Sequence, residues 1–333
     1  MGWLIVAIFC GGIAHAAPDV LTAAPLDGIE VAVTVDDLPQ AGDAAPGMSR
    51  EEIARNVIAA LKSNGVRHVY GFVNGYSLQY SPDGIEILKG WLRAGNPLGN
   101  HTFNHSDLNQ VTVETYIADI ERLDRLLLTL APVSPLIRDR RVFRYPYLAE
   151  GDTLAKRDAI RSYLAAHGYK IAEVTIDYQD WAWNAAYIRC RSQHDERSIG
   201  WLQQHLVDSA DRHLRGARGL AQRLFGRDIA QILLIHIGAF DALTLNGLLN
   251  HWRARGVKFV TLERALRDPA YQLNPNLPLD RGLTFLEAAA AARRVDITPF
   301  SDQLFPVENL NKVCAPKVQT HSRASTSNDS PAG

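Results

Sequence analysis

The sequence predicts an α/β fold built on a mostly parallel sheet, either open or closed into a barrel. Two observations carry this. Short apolar, strand-like runs alternate with amphipathic helical stretches along most of the chain, the pattern of repeated βα units. Seven such strands can be counted, and no repeat of solenoid length replaces the alternation.

Each element has its own signal. Val31–Val35 reads as a first buried strand. Ser49 and Glu52 form a capping-box pattern ahead of Ile53, Val57, Ile58 and Leu61 at helical spacing, and Gly65 ends that helix. Val66–Val73 reads as the second strand. Pro82 opens a helix through Ile85, Leu88 and Leu92 to Gly95. Pro97–His101 is a short third strand, and a longer helix runs from about Val113 to Leu130, ahead of Pro132. Val142–Tyr145 is strand-like, Thr153–His167 helical up to Gly168, and Tyr169–Ile176 the fifth strand. Residues 182–230 are polar, Arg-rich and helical in character. Ile232–Ile235 is a buried strand, Thr244–Arg255 a helix ending at Gly256, Val257–Val260 the last strand, and Thr261 a cap for a final helix.

Composition narrows the class. The chain has 333 residues, 47% hydrophobic and 21% charged, with a formal net charge of -1. That balance gives no electrostatic case for a nucleic acid or a membrane surface, and a neutral ligand such as a sugar fits it. Trp3–Ile13 is an apolar run too short to span a bilayer. Ala14-His15-Ala16 then places small residues before a cut ahead of Ala17, so residues 1–16 read as a signal peptide, although no Lys or Arg precedes the run. No other stretch is long enough for a transmembrane helix, so no integral membrane segment is expected in the mature chain. Cys10 falls in the leader. Cys190 and Cys314 either pair in an oxidising compartment or remain as two buried thiols. Without a CxxC motif a thiolate metal site has no support. Ser322–Gly333 is a Ser-, Asn- and Pro-containing tail expected to be disordered.

In parallel α/β folds functional groups collect at the carboxyl ends of strands. Asp36 and Asp37 follow the first strand, His101 and His105 the third, Arg144, Tyr145 and Tyr147 the fourth, Asp177, Asp180 and Trp181 the fifth, and His236 the sixth. The i, i+4 spacing lets both imidazoles face one metal if the segment turns helically, and a carboxylate from another strand completes a facial set of two imidazoles and one carboxylate. Such a site takes zinc or another divalent ion and acidifies water. Two unrelated surface or core histidines would give the same spacing. Neighbouring strand residues point to opposite faces, so the chain must turn at Asp36-Asp37 for both to enter one rim. The alternative there is a polar strand terminus before Pro39. A buried Arg144 needs a carboxylate partner, and Asp36 is a candidate. His236, after four aliphatic residues, is either a satisfied core histidine or an acid catalyst, with Asp177 offered as the partner that would orient it and raise its pKa. Trp181 either walls a pocket or packs in the core.

The five segments, in order, resemble the motifs of the polysaccharide deacetylase family, also called the NodB-homology family or carbohydrate esterase family four. They are Thr34-Val35-Asp36-Asp37-Leu38-Pro39, His101-Thr102-Phe103-Asn104-His105, Arg144-Tyr145-Pro146-Tyr147, Asp177-Tyr178-Gln179-Asp180-Trp181 and Leu233-Leu234-Ile235-His236. The resemblance implies a distorted seven-stranded (β/α) barrel over residues 27–270, followed by a C-terminal extension at 271–321 and the tail at 322–333. It implies that Asp37, His101 and His105 bind a divalent metal, Zn2+ first, with Co2+, Ni2+ and Mn2+ as the other candidates. It implies that Asp36 is the general base, Arg144 its orienting partner, and His236 the general acid with Asp177 behind it. The Tyr147 N–H would help stabilise the oxyanion, and Trp181 and Ile235 would line the acetyl pocket. The implied activity is removal of N-acetyl groups from a glycan containing N-acetylglucosamine, by a secreted or periplasmic protein. The same site would also serve a deacylase of small amides or an esterase on acetylated xylan, and a non-catalytic glycan-binding protein on the same fold is the alternative of another class. Leu38, Leu148, Tyr178 and Ile235 depart from the family pattern, where Gly, Gly, Ser or Thr, and Leu are usual. None of these removes a reacting group.

Overall fold

The computed structural model describes residues 25–134, 141–302, 304–305 and 307–316. The signal peptide expected at 1–16, Cys10 and the tail expected at 322–333 lie outside the described residues.

The strands are β1 (Glu30–Leu38), β2 (Tyr70–Val73), β3 (Leu98–Asn100), β4 (Arg141–Phe143), β5 (Tyr169–Ile171), β6 (Ile176–Asp177), β7 (Gln231–His236) and β8 (Lys258–Val260). Every pairing between them is parallel, in the order β5-β4-β3-β2-β1-β7-β6, with β8 added beside the start of β1. The main helices are α1 (Arg50–Ser63), α2 (Gly84–Arg93), α3 (Val113–Leu128), α4 (Leu154–Ala166), α5 (Asp180–Ser192), α6 (Glu196–Phe225), α7 (Ala239–Ala254), α8 (Leu262–Ala265) and α9 (Phe285–Arg293).

The single fifth strand expected at 169–176 is two short strands. Its first half, β5, bonds to β4, and its second half, β6, bonds to β7. Between them the backbone changes neighbours: the Ala172 N–H still donates to Phe143 O, while the Thr175 N–H donates to Ile232 O. β5 and β6 together count as one stave, which closes the ring. The result is a distorted seven-stranded (β/α) barrel. The helical region expected at 182–230 is likewise two helices, α5 and α6, with Asp195 capping the second. At α1 only half of the expected capping box forms, with the Glu52 N–H donating to Ser49 Oγ. The complete box lies at α9, where Thr284 and Glu287 cap each other.

Alternation along β1 and β7 separates two apolar layers. Val31, Val33, Val35, Leu233 and Ile235 face the surrounding helices, whereas Ala32, Tyr70, Phe72 and Ile232 fill the barrel interior. Thr34, Asp36 and His236 share the interior face of their strands, nearer the carboxyl end. The lower barrel is therefore dry and the upper barrel polar.

The described residues between 271 and 316 pack on the barrel and are tied to α5. Arg189 donates to Leu310 O and Val313 O, and Cys190 and Cys314 form a disulfide with a Cα–Cα distance of 5.1 Å. This bridge closes a loop with a sequence separation of 124, which restricts the unfolded chain more than the folded one. Cys314→Ser is expected to lower the unfolding free energy by about 2–4 kcal/mol. Denaturant unfolding without reductant checks this, and an unchanged midpoint and slope would contradict it.

Candidate active site

β1 ends at a break in its pairing with β2, between Val35 and Leu38. Asp37 has a φ of 63°, a left-handed conformation that costs an aspartate little compared with bulkier residues. This twist brings both adjacent carboxyls to one cleft instead of opposite faces. Asp36 is 2% exposed and Arg144 1%. Arg144 Nη1 donates to both Asp36 oxygens at 3.0 Å. The rest of the guanidinium is equally occupied: Nη2 donates to Thr34 Oγ1 at 3.0 Å and Nε to Ala172 O at 2.7 Å. The Phe72 ring lies 4.6 Å from its centre. Burial pulls the Arg144 pKa down, and the charge and hydrogen bonds of Asp36 offset part of that.

Asp37, His101 and His105 present ligand atoms that all lie within 4.8 Å of one another. His105 Nε2 is 3.3 Å, and His101 Nε2 3.8 Å, from Asp37 Oδ1. Donors sharing one ion through bonds of about 2 Å sit at such separations. The Nδ1–H of His101 donates to Arg144 O at 2.8 Å, which turns its Nε2 toward the cluster. Burial, reinforced by His105, lowers the His101 pKa to about 4, so its ring is neutral and able to ligate at neutral pH. Burial raises the Asp37 pKa, but its neighbours His105, His236 and His101 and the Asn74 amide outweigh it and leave it lowered. The residues present fit a divalent cation.

The segment from His101 to His105 is not the helical turn its spacing suggests. Thr102 and His105 have φ of 57° and 53°. The loop is moulded on buried polar groups: the Thr102 N–H donates to Asn100 Oδ1, and Asp119 accepts from Asn104 N, Asn104 Nδ2 and Ser106 Oγ. Asn74, at the end of β2, donates to Asp37 Oδ1 at 2.9 Å. Asn74, Asn100 and Asp119 were not singled out by sequence, because an isolated Asn or Asp at a strand end or within a helix carries no motif.

On the opposite wall, β1 and β7 pair in register, Asp36 beside His236. The carboxylate that holds His236 is Asp180, not Asp177. His236 Nδ1–H donates to Asp180 Oδ1 at 2.8 Å and the His236 N–H to Oδ2 at 2.6 Å. Gln179, with a φ of 56°, turns the chain between the two acids and sets Asp180 at the start of α5, beneath the imidazole. Asp177 instead accepts from the Gln179 N–H and faces the cleft, where burial and Asp180 push its pKa up to about 6. Burial alone would lower the His236 pKa, but the charge and hydrogen bond of Asp180, with Asp37 and Asp36 farther off, raise it well above 6.5. Next to this pair Asp241 is buried, and burial followed by the Asp180 charge raises its pKa well above the usual value.

The cleft has a volume of about 630 Å³ and contains Asp36, Asp37, His101, His105 and His236 together. Tyr147, 60% exposed, and Trp181, 55% exposed, stand on its wall. The Tyr147 ring meets His105 edge-on at 4.5 Å between centroids. Ile235 does not line the cleft: it is fully buried in the layer facing the helices. Its neighbour Leu234 takes that place, because alternate residues of a strand face opposite sides.

This geometry defines a class of protein: a parallel barrel whose carboxyl rim holds three side chains able to ligate a metal, flanked by a buried carboxylate and by an imidazole hydrogen-bonded to a second carboxylate. A family model described as "Polysaccharide deacetylase" matches residues 23–172 of the chain. That match holds the first three motifs, and His236 lies beyond it. A chitin deacetylase of Arthroderma benhamiae is 28% identical over 120 residues, covering 35% of this chain and 29% of the relative. A peptidoglycan-N-acetylglucosamine deacetylase of Bacillus cereus is 26% identical over 157 residues, covering 47% and 48%. The chain thus spans less than half the length of these curated relatives. Among solved structures, the chitin deacetylase from the fungal pathogen Colletotrichum lindemuthianum aligns with a TM-score of 0.47 at 21% identity, over 74% of this chain and 89% of that one.

The His236–Asp180 pair has a measurable consequence. Activity that needs the protonated imidazole persists below its pKa and is lost as pH rises through it. For a reaction that uses His236 as its acid, the raised pKa predicts an alkaline limb of the kcat/KM profile above the ordinary histidine range. Asp180→Asn removes the charge that raises it, and should move that limb down by about 1–3 units. A limb that stays in place in a folded variant would contradict the assignment.

Proposed function

We propose that this chain is a divalent-metal-dependent hydrolase that removes N-acetyl groups from oligo- or polysaccharides containing N-acetylglucosamine. The observation that carries the reading is the placement of Asp36 and His236 side by side on β1 and β7, next to the Asp37, His101 and His105 triad. Amide hydrolysis needs a proton acceptor for the attacking water and a proton donor for the leaving nitrogen, both close to one carbonyl.

Asp37, His101 and His105 would hold the metal, with zinc the first candidate from two imidazoles and one carboxylate. When bound, the ion would polarise the acetamido carbonyl and acidify water at the site. Asp36, held by Arg144, accepts the proton of the water that adds to the carbonyl carbon. The carbon–nitrogen bond then breaks, and His236 delivers its Nε2 proton to the departing nitrogen, giving acetate and a free amine. Asp180 stabilises the imidazolium before that transfer and fixes its tautomer. The Tyr147 N–H would share the oxyanion charge, and Tyr147 and Trp181 offer ring faces to a sugar.

We place the protein outside the cytoplasm, secreted or periplasmic. The apolar run Trp3–Ile13 before Ala14-His15-Ala16 supports this, and so does the Cys190–Cys314 bridge, which persists in oxidising compartments. Among the described residues no helix is long and apolar enough to cross a membrane.

The test is acetate release from N-acetylglucosamine oligomers, with metal content measured in parallel. Release should stop with chelator and return with zinc. Asp36→Asn should lose turnover by a factor of about 10² or more while keeping its metal, and His105→Ala should lose the metal. No acetate from a folded, zinc-loaded protein would overturn the reading.

A further inference from the structure

The buried acid that holds His236 has an acidic neighbour of its own. Asp241 stands in the first turn of α7, after the Gly238 cap, and is 1% exposed. An acid at such a position ordinarily accepts from the free N–H groups at the helix start. Asp241 does not. The Phe240 N–H donates to Asn184 Oδ1 of α5 at 2.9 Å instead, and the Gly238 cap makes no side-chain hydrogen bond. Among the described residues no donor completes a hydrogen bond to either Asp241 oxygen.

What lies beside Asp241 is a second carboxyl. Asp180 is also 1% exposed, and its oxygens accept from His236 Nδ1–H at 2.8 Å and from the His236 N–H at 2.6 Å. The Asp241 carboxyl is within hydrogen-bonding reach of it. The turn from β7 to α7 closes on the pair at Gly238, where a Cβ would fall 3.0 Å from Asp241 Oδ2 and 3.2 Å from Asn184 Oδ1. Tyr178, a departure from the family pattern, is buried with its hydroxyl beside Asp241. His236 from β7, Tyr178 and Asn184 thus face the two acids, and Asp177, Asp36 and Asp37 act on them or on His236 from the cleft side.

Charge balance decides where the protons sit. One imidazolium balances one carboxylate. A second buried carboxylate in contact with the first would be uncompensated, and two carboxyls in contact do not both ionise near neutral pH. Asp180 already accepts two N–H groups, so it keeps the charge. Asp241 accepts none, so it keeps the proton. Its O–H then finds an acceptor, because a carboxylate offers more lone pairs than Asp180 has used.

We propose that Asp241 is a positioning residue for His236: it stays protonated and donates its O–H to Asp180, so that the two carboxyls hold one proton between them. This rests on the proposed role of His236 as the acid. The donated hydrogen bond fixes the Asp180 carboxylate beneath the imidazole and draws off part of its charge. His236 is thereby kept protonated without holding its proton too firmly to release it to a leaving nitrogen.

The test uses Asp241→Asn and Asp241→Leu in the zinc-loaded full chain, with melting temperatures measured on both. Asparagine removes the ionisable group and keeps a donor, whereas leucine removes the donor as well. The first readout is the infrared C=O stretch of protonated carboxylic acid at neutral pH, part of which should vanish in Asp241→Asn. The second is the His236 pKa, from NMR titration of its ring. It should stay within about half a unit in Asp241→Asn, where no charge is removed, and rise by about one unit in Asp241→Leu, where Asp180 keeps its whole charge. The kcat for acetate release should fall about tenfold in Asp241→Leu, the scale of one hydrogen bond to a charged group, and recover in Asp241→Asn. An unchanged infrared band, or a His236 pKa that drops by about a unit in Asp241→Asn, shows an ionised Asp241 and overturns the inference. A folded Asp241→Leu protein with both pKa and kcat unchanged overturns it too. If leucine prevents folding, the Asp241→Asn readouts decide alone. The two spectroscopic readouts need no turnover, so the predicted pattern without acetate release counts against the deacetylase reading and supports the shared proton.

Discussion

The site depends on seating the Asp36 carboxyl inside a barrel whose lower half is apolar. A lone carboxylate in that position would be strongly disfavoured. Arg144 resolves this by donating to both of its oxygens, and Thr34, Ala172 O and the Phe72 ring then satisfy the rest of the guanidinium. Every one of these contacts spans strands. Thr34 and Asp36 come from β1, Phe72 from β2, and Ala172 from the junction where the fifth stave changes neighbours. The break between β5 and β6 is thus not incidental, since it frees a carbonyl at Ala172 that Arg144 Nε uses. Arg144 also accepts the Nδ1–H of His101 through its carbonyl, so one residue orients both Asp36 and His101. Removing one partner of such a pair costs about 3–5 kcal/mol because the other charge is left buried.

Around this pair the rim is built from backbone conformations that non-glycine residues rarely adopt. Asp37, Thr102, His105, Tyr147 and Gln179 all have positive φ between 53° and 63°. At the bulkier Thr102, His105, Tyr147 and Gln179 this costs of order 1–3 kcal/mol each, and less at Asp37. Asp119 fixes the loop from His101 to His105, and Asp180 fixes His236 through both ring and backbone. Strain at the rim and satisfied polar networks beneath it are two sides of one arrangement. The second places the side chains that the first aims.

Much of this was legible in the sequence. The strands show as apolar runs that stop at polar residues, and of these Asp36, Asp37, His101, His105, Asp177 and His236 meet in the cleft, while Arg144 and Asp180 are buried behind it. What was not legible followed from local chain direction. Asp177 and Asp180 are both acids after the same strand, and only the left-handed turn at Gln179 decides which lies under His236. Ile235 and Leu234 are both aliphatic, and only the facing of β7 decides which reaches the cleft. The fifth strand reads as one apolar run because its change of partner is made by backbone hydrogen bonds, which leave no mark on side-chain pattern.

The central claim of the proposed function is that the Arg144 fork, rather than positive charge alone, would make Asp36 an effective proton acceptor. The most direct test is kcat for acetate release by Arg144→Lys, with zinc content and melting temperature measured on the same preparation. Lysine keeps the charge but cannot donate to Asp36, Thr34 and Ala172 O at once. The account predicts a folded, zinc-containing protein whose kcat falls on the order of 10²-fold, the effect of a misplaced catalytic group. A folded Arg144→Lys protein with near-normal kcat would contradict it.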